Sequence, residues 1–283
     1  MQTVEWLDLC FAAPEQWEIS RHAVSRDKGS LVFVDRRSER LRVYWTACGG
    51  RPDGQLLLDG CRERDRQEHP DARFGQLPPA GEWRGYRWQD AGRSVTRAGL
   101  YDQRHDRWVE MVLTWPGSVE VELERAVLGS FRSANLPDGA HRYRAFGIDL
   151  TAPAAWVLEH AQVLPADLTM RFRSPRGRAQ VRRVKMVREL RAGGLDGLVR
   201  RELGTATAVV EPATYRGHEA RRATGRERAF TWRWVTAGLR RRTQLLWVCP
   251  QRDWMYSVAT ESRRRDPVAP ETFTVRCCGT EAA

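Results

Sequence analysis

His105 lies in "YDQRHDRW" (Tyr101–Trp108), three residues after Asp102 and next to Asp106. A carboxylate beside an imidazole is what an oriented general base requires. The same residues also suit a hydrated hairpin tip, and that is the reading adopted. The other histidines, His22, His69, His141, His160 and His218, form no HxxxH or HExxH pattern. GxSxG, P-loop and GxGxxG motifs are absent as well. "RAGGLDG" (Arg191–Gly197) has glycines but no Lys-Ser/Thr to meet a nucleotide's phosphates and magnesium, so it reads as a turn into a helix. No catalytic residue, cofactor or metal set is assigned, and the chain is not expected to be an enzyme.

The cysteines are Cys10, Cys48, Cys61, Cys249, Cys277 and Cys278, with no CxxC pair and no histidine at ligand spacing along the chain. Adjacent cysteines such as Cys277 and Cys278 seldom make an unstrained disulfide. Reduced thiols of a cytoplasmic protein are expected, with a zinc site as the lesser alternative. "MQTVEWLDLC" lacks a basic and then apolar export signal, and no apolar run is long enough to span a membrane.

Charge is distributed unevenly. Of the net +11, residues 1–139 carry 20 Arg/Lys against 22 Asp/Glu, and residues 140–283 carry 27 against 14. The second half therefore faces an anionic partner by expectation. All but two of its basic residues and those of the first half are Arg, the exceptions being Lys28 and Lys185. The candidate binding residues are Arg171 and Arg173 with Arg176 and Arg178 around a "SPRG" turn, then Arg182, Arg183 and Lys185 on a strand. Arg240, Arg241 and Arg242 at a strand start and Arg263, Arg264 and Arg265 in a late loop complete the set. Trp232-Arg233-Trp234 interleaves aromatics with charge, as a stacking platform for single-stranded nucleic acid would. The same tryptophans suit a core whose surface is capped by Arg.

These residues must be positioned by a scaffold that repeats. "LCFAAPEQW" (Leu9–Trp17) returns as "IDLTAPAAW" (Ile148–Trp156), with Pro14 and Trp17 mapping onto Pro153 and Trp156. "LDGCRER" (Leu58–Arg64) returns as "LDGLVRREL" (Leu195–Leu203), "WRGY" as "YRGH", and "SFR" (Ser130–Arg132) as "TFT" (Thr272–Thr274). Each copy predicts an opening strand, Trp6–Phe11 or Phe146–Thr151, closed by its Ala-Pro. A strand pair follows, Ser30–Val34 with Arg40–Trp45 or Leu168–Arg173 with Ala179–Met186. Leu41, Val43 and Trp45 alternate with Arg42 and Tyr44, the period of a half-buried strand. Helices are predicted over Gln55–Glu68 and Leu195–Leu203. Further strands come next: Trp83–Gln89, Ser94–Tyr101 and Trp108–Trp115, then Tyr215–Ala223, Ala229–Val235, Thr243–Cys249 and Met255–Thr260. A terminal helix closes each copy, the second one capped at Asp266-Pro267. "NLPDGAH" (Asn135–His141) is the linker between a near-neutral domain, 1–136, and a strongly basic one, 142–283.

Pro14, Trp17, Gly85 and "AVLGSFR" (Ala126–Arg132), echoed by Pro153, Trp156, Gly217 and Phe273, resemble the PsbP/Mog1/DcrB-like superfamily in two copies, the first the better match. The resemblance implies an α+β fold of two tandem similar domains, each a mainly antiparallel sheet flanked by helices. It also implies binding rather than catalysis: a chaperone, adaptor or assembly component for a protein partner. Nucleic acid or another polyanion on the basic second half is the alternative.

Overall fold

The computed structural model describes residues 1–134, 136–185, 187, 194–203, 209–228, 239–262 and 268–278. The chain divides into two compact units, Met1–Asn135 and Leu136–Ala283. The first runs β1 (Gln2–Trp6), β2 (Leu9–Ala13), β3 (Glu18–His22), β4 (Lys28–Val34), β5 (Glu39–Ala47), α1 (Gly54–Glu68), β6 (Arg73–Gln76), β7 (Arg84–Asp90), β8 (Arg93–Asp102), β9 (Arg107–Pro116), α2 (Val121–Gly129) and β10 (Arg132–Ser133). Seven of its strands form one antiparallel sheet in the order β3-β4-β5-β9-β8-β7-β6. The other three form an antiparallel ladder, β10-β2-β1.

The second unit runs β11 (His141–Ala145), β12 (Ile148–Ala152), β13 (Val157–Val163), β14 (Asp167–Ser174), β15 (Gly177–Val184), α3 (Gly194–Leu203), β16 (Val209–Tyr215), β17 (His218–Arg228), β18 (Leu239–Cys249), β19 (Trp254–Ser262) and β20 (Thr274–Val275). Its seven-stranded sheet has the order β13-β14-β15-β19-β18-β17-β16, and β11-β12-β20 is its short ladder. One strand order therefore recurs in both units.

The expected fold, two tandem α+β domains with helix-flanked sheets, is overturned. Twenty strands stand against three α-helices among the described residues, and the sheet pairings within each unit are antiparallel. The physical reason lies in what covers the apolar sheet face. In the first unit the alternating Leu41, Val43 and Trp45 are fully buried, and their side of the sheet receives the short ladder together with the short α2, whose buried Glu124 accepts from Thr96 of β8. Phe11 of β2 meets Phe33 of β4 edge to face at 5.6 Å. The Trp6 indole donates to Ala23 O at 2.8 Å, so a large ring is buried with its one donor satisfied. In the second unit Phe172 of β14 does the same work, 5.6 Å from Tyr143 and 5.3 Å from Phe273. Burying each such ring is worth about 2–3 kcal/mol.

The helices cover less. α1 starts at Asp53, whose side chain accepts from the Gln55 and Leu56 backbone N–H groups at 3.0 and 3.1 Å, a standard N-cap. It buries Leu58, Cys61 and Asp65 against β7 and β8 and leaves Leu57 largely outside. α3 packs Leu198 and Val199 on Val184, Ala223, Leu246, Val248 and Met255.

Three further expectations change. The opening strand of each copy is a hairpin, because Leu7 and Asp8 in one, and Phe146 and Gly147 in the other, take positive φ. Neither pair is the Asn-Gly that usually marks such a turn. Strand Tyr215–Ala223 is broken at Arg216–Gly217, again by positive φ. The terminal helix of the second copy is one 3-10 turn, Pro270–Thr272, among the described residues; Asp266-Pro267 and strand Ala229–Val235 lie largely or wholly outside them. Pro14–Trp17 and Pro153–Trp156 are the same turn, closed by Trp N–H to Pro C=O bonds of 3.1 and 2.9 Å.

Gly85 and Gly217 are not structural counterparts. Gly85 lies inside β7, where a Cβ would collide with the Arg97 carbonyl of β8. Gly60 sits on the outer side of α1 with open space around it. Gly85→Ala should therefore lower unfolding stability by about 1–3 kcal/mol, whereas Gly60→Ala should raise it by up to about 1 kcal/mol. Urea unfolding of the two variants checks both signs.

Candidate functional site

The basic candidates occupy the seven-stranded sheet of the second unit, and strand alternation separates them. Arg171 and Arg173 project to one side of β14, because Met170 and Phe172 between and beside them are buried. Arg171 pairs with Gln180 on β15, and Gln180 pairs with Ala259 on β19. One row along, Arg173 faces Arg178, Arg178 faces Glu261, and Glu261 faces Arg242. α3 covers the sheet further along but not these two rows. These rows form a groove of about 500 Å³ lined by Arg171, Arg178, Arg242, Gln180, Glu159 and Glu261, with His160 at one side. Arg173 is exposed beside it and pairs with Glu159 at 3.4 Å.

Other candidates are committed elsewhere. Arg182 is bound by Asp167 and by Glu202 of α3, and that pairing, opposed by partial burial, raises its already high pKa. Arg183 is 2% exposed, donates to the Phe146 carbonyl and sits over the Trp254 ring at 4.7 Å. Lys185 and Arg252 lie over the same ring at 5.5 and 5.2 Å, a cation–π grouping. Arg241 lies in β18 opposite Arg226 and Ser262. Arg240 is in β18 opposite Glu227. Arg263, Arg264, Arg265 and the Trp232-Arg233-Trp234 run lie outside the described residues. The structure thus gathers Arg171, Arg178 and Arg242, leaves Arg173 at their side, and spends Arg182 and Arg183 on packing. Sequence reading missed Gln180, Glu159 and Glu261, which only cross-strand register brings into the groove.

In the first unit, Asp102 at the end of β8 is buried and accepts from His105 Nδ1 at 3.0 Å, Arg107 Nε at 2.9 Å and Ser133 Oγ. Arg107, 3% exposed, also donates to the Leu7 carbonyl at 2.8 Å. Burial works to raise the Asp102 pKa, but the His105 and Ser133 hydrogen bonds and the Arg107 charge outweigh it and hold the carboxyl well below the usual range. Ser133 and His105 bind the two oxygens of one carboxylate. A nucleophilic triad needs the imidazole between the other two groups, so this arrangement pins β10 and the first hairpin to the end of β8 and activates no hydroxyl. A second polar centre binds α1 to its sheet: Asp65 accepts from Tyr86 at 2.8 Å, Trp88 at 3.1 Å and Arg97 at 3.2 Å.

The third polar centre is made of thiols. His218 follows the Arg216–Gly217 turn, Cys249 ends β18, and Cys277 and Cys278 follow β20. His218 Nε2 lies 3.2 Å from the sulfurs of both Cys277 and Cys278, which are 3.9 Å apart. These atoms and the Cys249 sulfur all fall within 4.8 Å of one another. None of the six cysteines forms a disulfide. Burial pushes the Cys277 thiol up to about 12, while the Trp247 indole N–H beside it works in the opposite direction. Nothing in the linear spacing signalled this cluster; 31 and 28 residues separate its first three members in sequence.

No protein-family model matches this chain, and no curated protein matches it either. Among the described residues, no helix is long and apolar enough to cross a membrane.

Asp102→Asn breaks a buried ion pair and should cost about 3 kcal/mol at neutral pH. Because the folded carboxyl titrates below its unfolded value of about 4, its contribution is complete above that value and fades as pH falls toward the lower folded one. The gap between wild type and variant, followed by urea unfolding across pH, should accordingly close in acid.

Proposed function

We propose that this chain is a non-enzymatic binding protein, and that a segment of a protein partner docks in the groove of Arg171, Arg178 and Arg242. A role as adaptor, chaperone or assembly component follows from that mode of action, and it is also what the PsbP/Mog1/DcrB-like resemblance implies. The observation that carries the proposal is the alternating row Arg178, Glu261, Arg242 across β15, β19 and β18. A nucleic-acid surface gains affinity by neutralising phosphates with an unbroken set of cations, and the glutamate within the row works against that. Mixed charge instead selects a complementary mixed-charge protein segment and rejects wrong partners.

Among the described residues the groove also has little aromatic surface, since Phe172 in its wall is buried; base stacking needs exposed rings. The large apolar side chains on the surface, such as Leu56, Val157, Leu164 and Val209, are spread over separate elements, so charge rather than a broad apolar face carries recognition in this reading. The thiols, none in a disulfide, suit a reducing compartment, and the proposal places the protein in the cytoplasm.

Arg171→Glu/Arg242→Glu should abolish capture of the partner from native lysate, with at least about a tenfold loss, roughly 1.4 kcal/mol. The fold should persist, because both side chains face the groove. Capture that survives this change, or that disappears after nuclease treatment of the wild-type sample, would overturn the reading, the second result in favour of nucleic acid.

A further inference from the structure

We infer that His218, Cys249, Cys277 and Cys278 form a tetrahedral site for Zn²⁺, closed by four protein ligands, that clips the end of the chain to the sheet of the second unit. In a zinc site with Zn–S of about 2.3 Å and Zn–N of about 2.0–2.1 Å, tetrahedral geometry requires sulfurs about 3.8 Å apart and sulfur–nitrogen separations of about 3.6 Å. The observed 3.9 Å between Cys277 and Cys278, and 3.2 Å from His218 Nε2 to each, need only tenths of an ångström of adjustment. Three thiolates and an imidazole are a soft donor set, which selects zinc over magnesium or calcium. Four protein ligands leave no open position, so the site is structural and does not activate water.

The surroundings are built for thiolates. Trp247 is fully buried, and its indole N–H has no oxygen or nitrogen partner among the described residues. It lies within hydrogen-bonding reach of the Cys277 sulfur, the place of an outer-shell donor to a metal-bound sulfur. The buried Tyr256 hydroxyl, likewise without a hydrogen-bond partner among the described residues, lies near Cys249 and Cys277. Three thiolates around Zn²⁺ leave one negative charge, and Arg183 and Arg252 lie over the ring of Trp254, the strand partner of Cys249, at 4.7 and 5.2 Å, so cations are at hand to balance it.

A second observation comes from the recurrent strand order. Four residues lie between Cys249, the end of β18, and the start of β19, as four lie between Asp102, the end of β8, and the start of β9. Ser133 stands opposite Leu9, just after the first hairpin turn. Carrying the β12–β20 register on by two residues sets Cys277 opposite Ile148, just after the corresponding turn. The positions that hold the Asp102–Ser133 contact in one unit thus hold Cys249 and Cys277 in the other. Both tie a two-residue last strand to a long hairpin, one through a carboxylate and hydrogen bonds and the other through a metal.

The test uses the full chain, purified reduced, stripped by chelator and titrated with Co²⁺. One equivalent should bind, with the sulfur-to-cobalt charge-transfer and visible bands of tetrahedral thiolate cobalt, and Zn²⁺ should displace it. Cys249→Ser and Cys277→Ser/Cys278→Ser should weaken Co²⁺ binding at least about tenfold, while Cys48→Ser, in the other unit, should bind as wild type. Chain isolated from zinc-supplemented cells should carry one zinc, measured by elemental analysis, and this reading needs no variant to fold. Absence of zinc from that material, a folded stripped chain that gives no thiolate–cobalt bands, or undiminished binding by the Cys277/Cys278 double variant would overturn the assignment.

Discussion

Each unit closes on a strand too short to hold itself. β10 and β20 have two residues apiece, and two ladder pairs cannot offset the entropy of fixing the strand and closing the long loops behind it. Side chains must supply the remainder at the junction with the long hairpin. In the first unit that is the buried Asp102 with Arg107, His105 and Ser133, and in the second it is the cluster around Cys249 and Cys277. The short ladder covers one apolar face of the larger sheet, so the core on that face rests on these junctions. Loss of either would expose the rings that stabilise its unit, such as Phe11 against Phe33 or Phe273 against Phe172.

The first hairpin turn meets the same need by two routes. In both units a buried Arg donates to the carbonyl of a turn residue with positive φ, Arg107 to Leu7 and Arg183 to Phe146. The two come from different strands of their sheets. In the second unit Trp254 occupies the position that Arg107 holds in the first, opposite the last residue of the preceding strand, and Arg183 lies over its ring. An arginine counted by composition toward a binding surface is therefore part of the packing. Net charge describes a unit's field at a distance; it does not say which cations are free to meet a partner.

Much of the scaffold was legible in the chain. Period-two alternation located β5, the "SPRG" turn separated β14 from β15, and apolar spacing located α1. The repeated Pro-to-Trp turns marked corresponding points of the two units. Helices were overestimated because an apolar run after a proline, such as Val119 to Phe131, reads as helix whether or not it continues, and α2 stops at Gly129. The hairpins inside Trp6–Phe11 and Phe146–Thr151 were hidden because a turn at Leu-Asp or Phe-Gly carries no strong local signal; the carbonyl bond from a distant Arg stabilises it.

The sequence by itself determined the uneven charge, the recurrent order of elements and the alternation that makes strands half-buried, because these depend on residue type and short spacing. Tertiary structure decided the rest. Register across β14, β15, β19 and β18 assembled Arg171, Arg178 and Arg242 into one groove and turned Arg183 inward, since a one-residue step along a strand reverses the face. Folding also brought the ligand atoms of His218, Cys249, Cys277 and Cys278 within 4.8 Å of one another, although the chain separates His218 from Cys277 by 59 residues. Ligand geometry is a property of three-dimensional distance, and no local spacing rule encodes a site drawn from two hairpin ends and a chain terminus.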